Sequence, residues 1–290
     1  MPIPILVVCY NRPKILRELL LRIDKLPTTK VYIAIDKTDS GSILQKDNVA
    51  VINVVSQFTR YSKHLVEILV QPQNVGCNRN TIIGMDFLLS DNASGVLLED
   101  DCEFTLPYIE FLNRNHESVD YSKYMSITPM NLNWGRDLFH RKNSKVFFLD
   151  SALMGASLGM TFARESRADL DLALQELKSQ RMFDAIESFS QDCPVNFLQR
   201  KILFSYFKSK ARSISSTWNR MELEWSPHNE TGWDSAWQLG AIIAGKSFLV
   251  PNFTLARETL KQEENQWHPH SFSYPSWEDI DQEFTIKDLE

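Results

Sequence analysis

An α/β fold with a mostly parallel central sheet flanked by helices is what the first hundred residues of this 290-residue chain predict. Short apolar runs at 3–9, 31–35, 64–70 and 95–98 read as strands, and the segments between them carry apolar residues at helical spacing. That alternation calls for strand–helix–strand units and hence a parallel sheet. The composition is that of an ordinary folded protein, with 43% apolar and 23% charged residues, which argues against disorder or a fibrous class.

Each element has its own signal. After the first strand, Pro13 stands where a helix can start, and Ile15, Leu16, Leu19, Leu20 and Ile23 follow on one face. A second helix is expected over 48–58 and a third over 79–89, each leading into the next strand. Residues 121–164 look β-rich and irregular, with strands at 123–128 and 145–149 around a polar loop, 131–143. That loop holds Trp134, Gly135 and His140, and is either a flap over a substrate or a surface hairpin. The stretch 165–206 reads mainly helical, and a helix over 234–244 precedes a strand at 247–250. After Glu258 the chain is polar and aromatic, with Trp267, His268, His270, Tyr274 and Trp277, and this tail is expected to pack on the domain. Nothing forces a linker, so the expectation is one domain over 1–257 with halves 1–101 and 102–257, a helical insertion at about 165–222, and the tail 258–290.

The net charge of -6 speaks against general nucleic-acid binding. No apolar stretch approaches the roughly eighteen residues of a membrane span, and Met1-Pro2-Ile3-Pro4 lacks the charged start of a leader, so a cytoplasmic protein is expected. Cys9, Cys77, Cys102 and Cys193 are widely spaced, as in reduced thiols. The charge is uneven, however. From Cys193 to Met221 there is no acid, and Arg200, Lys201, Lys208, Lys210, Arg212 and Arg220 interleave with Phe197, Phe204, Tyr206, Phe207 and Trp218. Such a segment, 197–220, is either a solvated helix face covering the core or a peripheral contact with an anionic membrane or a lipid phosphate.

Ligands of open parallel sheets bind beyond the carboxyl ends of the strands. Here those ends carry Tyr10-Asn11-Arg12, Asp36, Gln71 to Arg79, and Glu99-Asp100-Asp101. The last is the most informative feature, because three adjacent carboxylates repel one another unless a hard cation such as Mg²⁺ or Mn²⁺, or sugar hydroxyls, take up the charge. A second group, Gly232-Trp233-Asp234-Ser235-Ala236-Trp237, sets an acid between indoles, where it is either a desolvated general base with rings to stack on a sugar or a helix cap packed on the core. A formal match to the phosphate-binding loop pattern, Gly240 to Ser247, is rejected because a helix-like segment precedes it and a strand follows.

Together these residues resemble the GT-A glycosyltransferases, the nucleotide-diphospho-sugar transferase superfamily with a Rossmann-like sheet. Ile5-Leu6-Val7-Val8-Cys9-Tyr10-Asn11-Arg12-Pro13 is similar to its opening strand, and Gln73-Asn74-Val75-Gly76-Cys77-Asn78-Arg79-Asn80 to its loop before the metal motif. Glu99-Asp100-Asp101 resembles the Asp-X-Asp variant of N-acetylglucosaminyltransferase I and family 2 glycosyltransferases, and Gly232-Trp233-Asp234 the acceptor-side motif of the former. Ser235-Ala236-Trp237 departs from that motif's acidic continuation, and residues 130–225 match sparsely.

The resemblance implies Asp101 as ligand of Mn²⁺ or Mg²⁺, and Asn11, Arg12, Asp36, Asn74, Arg79, Glu99 and Asp100 around a nucleotide-sugar donor. It implies Asp234 as catalytic base and Trp134, Trp233 and Trp237 on the side of a glycan or lipid-linked glycan acceptor. His268 or His270 is a further candidate ligand, or more plainly a packing residue. The implied activity is inverting transfer from a nucleotide-diphosphate donor, UDP-linked by expectation, in surface polysaccharide assembly at the inner face of a membrane. A sugar nucleotidyltransferase would carry a Gly-rich basic loop after the first strand, which Tyr10-Asn11-Arg12-Pro13 is not. A non-catalytic sugar or nucleotide-sugar binding module remains the reading from another class.

Overall fold

The computed structural model describes residues 2–129, 148–151, 154, 159–193, 197–218, 232–251 and 256–258. Its centre is a five-stranded sheet in the order β3-β2-β1-β4-β8. The strands are β1 (Ile5–Cys9), β2 (Lys30–Ile35), β3 (Leu65–Val70), β4 (Ser94–Glu99) and β8 (Thr161–Ala163), and the first four are parallel. Every residue of β1 is buried because it has a strand on each side and helices on both faces. Its side chains alternate: Ile5, Val7 and Cys9 face one core, Leu6 and Val8 the other.

The first core is closed by α1 (Pro13–Ile23) and α2 (Gln45–Tyr61). The second is closed by α3 (Cys77–Leu89) together with α5 (Arg164–Glu176), α6 (Gln180–Asp192), α7 (Phe197–Thr217) and α8 (Trp233–Ala244). The helices begin and end close to the expected positions because their apolar residues recur on one face; Ile15, Leu16, Leu19, Leu20 and Ile23 of α1 are all buried. Two small sheets complete the architecture. β6 (Tyr124–Ile127), β9 (Ser247–Pro251) and β7 (Phe148–Ser151) form one, and β5 (Cys102–Phe104) with β10 (Ala256–Glu258) the other. The helix α4 (Leu106–Asn115) adds Tyr108, Ile109 and Leu112 to the first core, and β8 runs antiparallel to β4; the sequence reading had neither. Among the described residues no helix is long and apolar enough to cross a membrane.

The phosphate-loop pattern at 240–247 is explained by packing. Gly240 lies inside α8, and a Cβ there would stand 3.3 Å from the Asp169 carbonyl of α5, so the missing side chain lets two helices approach. Gly245 ends α8 in the left-handed conformation, and Lys246 pairs with Asp169 at 2.5 Å.

His64, at the start of β3, is held as a neutral imidazole. Its Nδ1 accepts the Thr29 N–H at 3.2 Å, which leaves Nε2 to donate to the Ile23 carbonyl at 3.0 Å. Burial lowers its pKa, because a second proton would charge the ring and remove the acceptor. The unfolded chain therefore takes up a proton first as pH falls below about 6.5, and the stability His64 supplies is complete above that value and lost as pH falls through the lowered folded value. Urea unfolding between pH 5 and 7 should show wild type losing stability faster on acidification than His64→Asn, by at most about 1.4 kcal/mol per pH unit. Equal slopes would remove His64 from the acid sensitivity.

A candidate active site at the switch point of the sheet

From β1 the chain moves outward through β2 to β3 and then crosses back to place β4 on the other side of β1. The order reverses between β1 and β4, and the loops following these two strands flank the crevice that such a reversal leaves. The β1 loop delivers Asn11 and Arg12, and the end of β4 delivers Glu99, Asp100 and Asp101.

Asp100 and Asp101 are buried at 2% and 6% exposure, and Arg12 joins them. Its Nη2 lies 2.7 Å from Asp100 Oδ1, and its Nη1 bonds Asp101 Oδ2. Both terminal nitrogens of Arg12 hold carboxylates, so the guanidinium is built into the acidic turn, and its remaining N–H groups are still donors. Burial acts to lower the Arg12 pKa, and the adjacent charges of Asp100 and Asp101 more than reverse it. Burial raises the pKa of Asp100, with Arg12 opposing. Among the described residues, the second oxygen of each pair, Asp100 Oδ2 and Asp101 Oδ1, is buried without a hydrogen-bond partner. Such orphaned acceptors are costly unless a ligand takes them.

Glu99 is half-buried and points to α8, where the Trp233 indole N–H donates to its Oε1 at 2.9 Å. Burial raises its pKa, and the charges of Asp101 and Asp234 act the same way, against the Trp233 hydrogen bond and Arg12. The first backbone N–H of α8, that of Trp233, is capped at 2.8 Å by the Asn78 side-chain oxygen from the first turn of α3. Asp234 follows, half-buried, with its Oδ1 accepting the Ser235 N–H at 2.6 Å. It stands in the first turn of α8, where the helix N-terminus favours a negative charge. Of the two readings of the Trp–Asp–Trp group, the helix start packed on the core describes the indoles. Trp237 is fully buried in the second core, so a sugar has no access to its ring, and Trp233 is 3% exposed with its edge turned to Glu99. Both indoles are built into the framework of the second core. Trp134, His140, His268 and His270 lie outside the described residues.

The loop between β3 and α3 is held from β2. Asp36 is buried, and its Oδ1 accepts the N–H groups of Lys37 and Val75, each at 2.9 Å, while Oδ2 accepts that of Gly76, also at 2.9 Å. Asn74 Oδ1 bonds Gly76 N as well, at 3.0 Å. Gly76 has φ of 80°, a left-handed value that a side chain would strain. Asp36 and Asn74 thus shape the loop. Arg79 is exposed in the first turn of α3, and Asn11 is half-buried beside Arg12.

Sequence reasoning missed the asparagines that fix these loops. Asn48 of α2 donates its side-chain amide to the Tyr10 carbonyl at 2.6 Å and the Asp36 carbonyl at 2.8 Å, tying the ends of β1 and β2 together. Asn80 donates to the Ala34 carbonyl at 3.2 Å and accepts from Gln71 at 3.0 Å. A polar residue on the buried side of an otherwise apolar helix, as Asn48 is on α2, was the available signal.

Glu99, Asp100, Asp101 and Asp234 against Arg12 leave an acid-rich crevice that would repel a diphosphate by itself. The donor set fits a hard divalent cation of the kind that takes one or two carboxylates and completes its shell with phosphate oxygens and water, since Asp101 and Asp100 each keep a buried oxygen unengaged. It does not fit an all-protein cage: among the described residues no three His, Cys, Asp or Glu side chains converge on one point. No protein-family model matches this chain, and no curated protein matches it either.

Proposed function

We propose that this protein is an inverting, metal-dependent glycosyltransferase of GT-A type. It would move a sugar from a nucleotide-diphosphate donor, UDP-linked by preference, to a hydroxyl of a glycan or lipid-linked glycan in surface polysaccharide assembly. The observation that carries the reading is the pair of orphaned, buried carboxylate oxygens on Asp100 and Asp101 at the switch point of a parallel sheet.

In this reading Asp101 holds Mn²⁺ or Mg²⁺ and Asp100 meets the ribose or sugar hydroxyls, with Arg12 fixing both carboxylates in place. The cation, when bound, supplies charge neutralisation for the departing nucleotide diphosphate. Glu99 anchors the first turn of α8 through Trp233, and so sets where Asp234 stands relative to the donor. Asp234 is the base, taking the proton of the acceptor hydroxyl as that oxygen attacks the anomeric carbon and the sugar–phosphate bond breaks. Its Oδ1 accepts the Ser235 N–H, which fixes how the carboxylate is turned.

The first experiment is thermal melting of the protein with UDP, GDP, CMP and dTDP compounds, each with and without Mn²⁺. A ligand that binds the native state raises the melting temperature, so a metal-dependent shift with one nucleotide supports the reading and names the donor class. No shift with any of them would overturn it. Asp234→Asn then separates catalysis from a binding module, a reading favoured by the hydrogen bond that Asp234 makes to its own helix. Nucleotide affinity should stay as in wild type while transfer falls at least about a hundredfold, the lower end of what a positioned base supplies. Unchanged transfer would take the base role from Asp234.

A further inference from the structure

The long helix α7 packs one face on the second core through Phe207, Ala211 and Ile214, and leaves bulky apolar residues on the other. Phe197, Leu198, Ile202 and Tyr206 are exposed by 72%, 67%, 59% and 47%. Leu198, Ile202 and Tyr206 follow one another at four-residue spacing, so they form a stripe along the outward side of the first turns. Cations border the stripe. Lys201 Nζ lies 4.5 Å from the Phe197 ring centroid and Lys210 Nζ 5.4 Å from that of Tyr206, and Arg212, six residues beyond Tyr206, is exposed with its guanidinium 5.8 Å from the Phe183 ring centroid. The whole stretch from 193 to 221 carries no acid, in a chain whose net charge is -6. A face that is apolar and cationic together suits a surface that is apolar beneath and anionic above.

We propose that the outward face of α7 seats the protein on an anionic lipid surface. Leu198, Ile202 and the two rings would enter the boundary between headgroups and acyl chains, with the Lys and Arg side chains at the level of the phosphates. The net charge of the remaining chain is repelled by the same surface, so binding depends on the local patch and weakens steeply with salt. The proposal is independent of the transfer reading. It gains interest from it, because α7 shares the second core with α8, whose first turn enters the crevice.

The test is sedimentation of the full chain with phosphatidylcholine vesicles, with and without phosphatidylglycerol. Binding is expected to the anionic vesicles alone and to be lost in high salt. Lys201→Gln with Arg212→Gln should weaken it roughly 25-fold, about fivefold per charge. Leu198→Ser with Ile202→Ser should weaken it at least about tenfold at unchanged charge, which separates insertion from simple charge attraction. All four positions are exposed, so melting temperatures should match wild type and report that the variants fold. Failure to bind anionic vesicles, equal binding to neutral ones, or variants that bind like wild type would each overturn the proposal.

Discussion

Arg12→Ala is expected to lower the unfolding free energy by about 3 kcal/mol at neutral pH. Removing one partner of a buried ion pair strands the other charge, at a cost of about 3 to 5 kcal/mol. The lower end applies because the Arg12 side chain is 30% exposed while Asp100 and Asp101 are almost covered. The loss carries a signature in pH. Burial already raises the Asp100 pKa and Arg12 opposes it, so without Arg12 it rises further. A carboxyl whose folded pKa is raised contributes stability that is complete below its unfolded value, near 3.9, and lost as pH rises through the folded value. The deficit of the variant should therefore be small in acid and grow toward neutrality, measured by urea unfolding with a chelator present. A divalent cation should recover part of it. A deficit that is constant with pH would show that Arg12 acts through packing.

Asp101→Ala is expected to abolish the metal-dependent part of nucleotide stabilisation and to reduce transfer by about a hundredfold to a thousandfold. A group that neutralises charge developing on a leaving group in a water-poor cleft is worth about 3 to 4 kcal/mol in the transition state. The fold should survive, because Arg12 keeps its pair with Asp100 at 2.7 Å. Melting with UDP, with and without Mn²⁺, reads the first effect separately from transfer. A variant that shows the same metal-dependent shift as wild type would take Asp101 out of the metal role.

The outline of the fold was legible because the inner strands β1, β2 and β4 are buried on both faces. Ile5 to Cys9 has no polar residue to break the run, and Pro13 with the Ile15–Ile23 periodicity marks the following helix without ambiguity. What escaped was structure whose cause lies far away in the chain. The three residues of β8 are too few to show a period and are strand only because β4 offers an edge. Leu106–Asn115 follows the short strand β5, with Pro107 and Tyr108 in its first turn, and its place in the fold shows only once Tyr108 and Leu112 are seen to complete the first core. The carboxylates of the site were visible as residue types, and their partners were not. Asp36 at the end of a strand looks the same whether it meets a ribose or, as here, the amides of Val75 and Gly76. The Trp–Asp pair allowed a helix start packed on the core, as Trp237 is, but residue types alone did not show that Trp233 would donate to Glu99.

The bond from Trp233 to Glu99 spans 134 residues of sequence, and that from Trp233 to Asn78 spans 155. The four parallel strands, by contrast, lie within the first hundred residues and need only short crossovers. Contacts that close long loops form late, because the chain entropy must be given up before the contact repays it. The carboxylates of β4 should accordingly be in position early in folding, with the crevice left open on the α8 side until the second half of the chain docks. Trp233 sits at that junction, so its indole fluorescence would report the arrival of the last wall of the site.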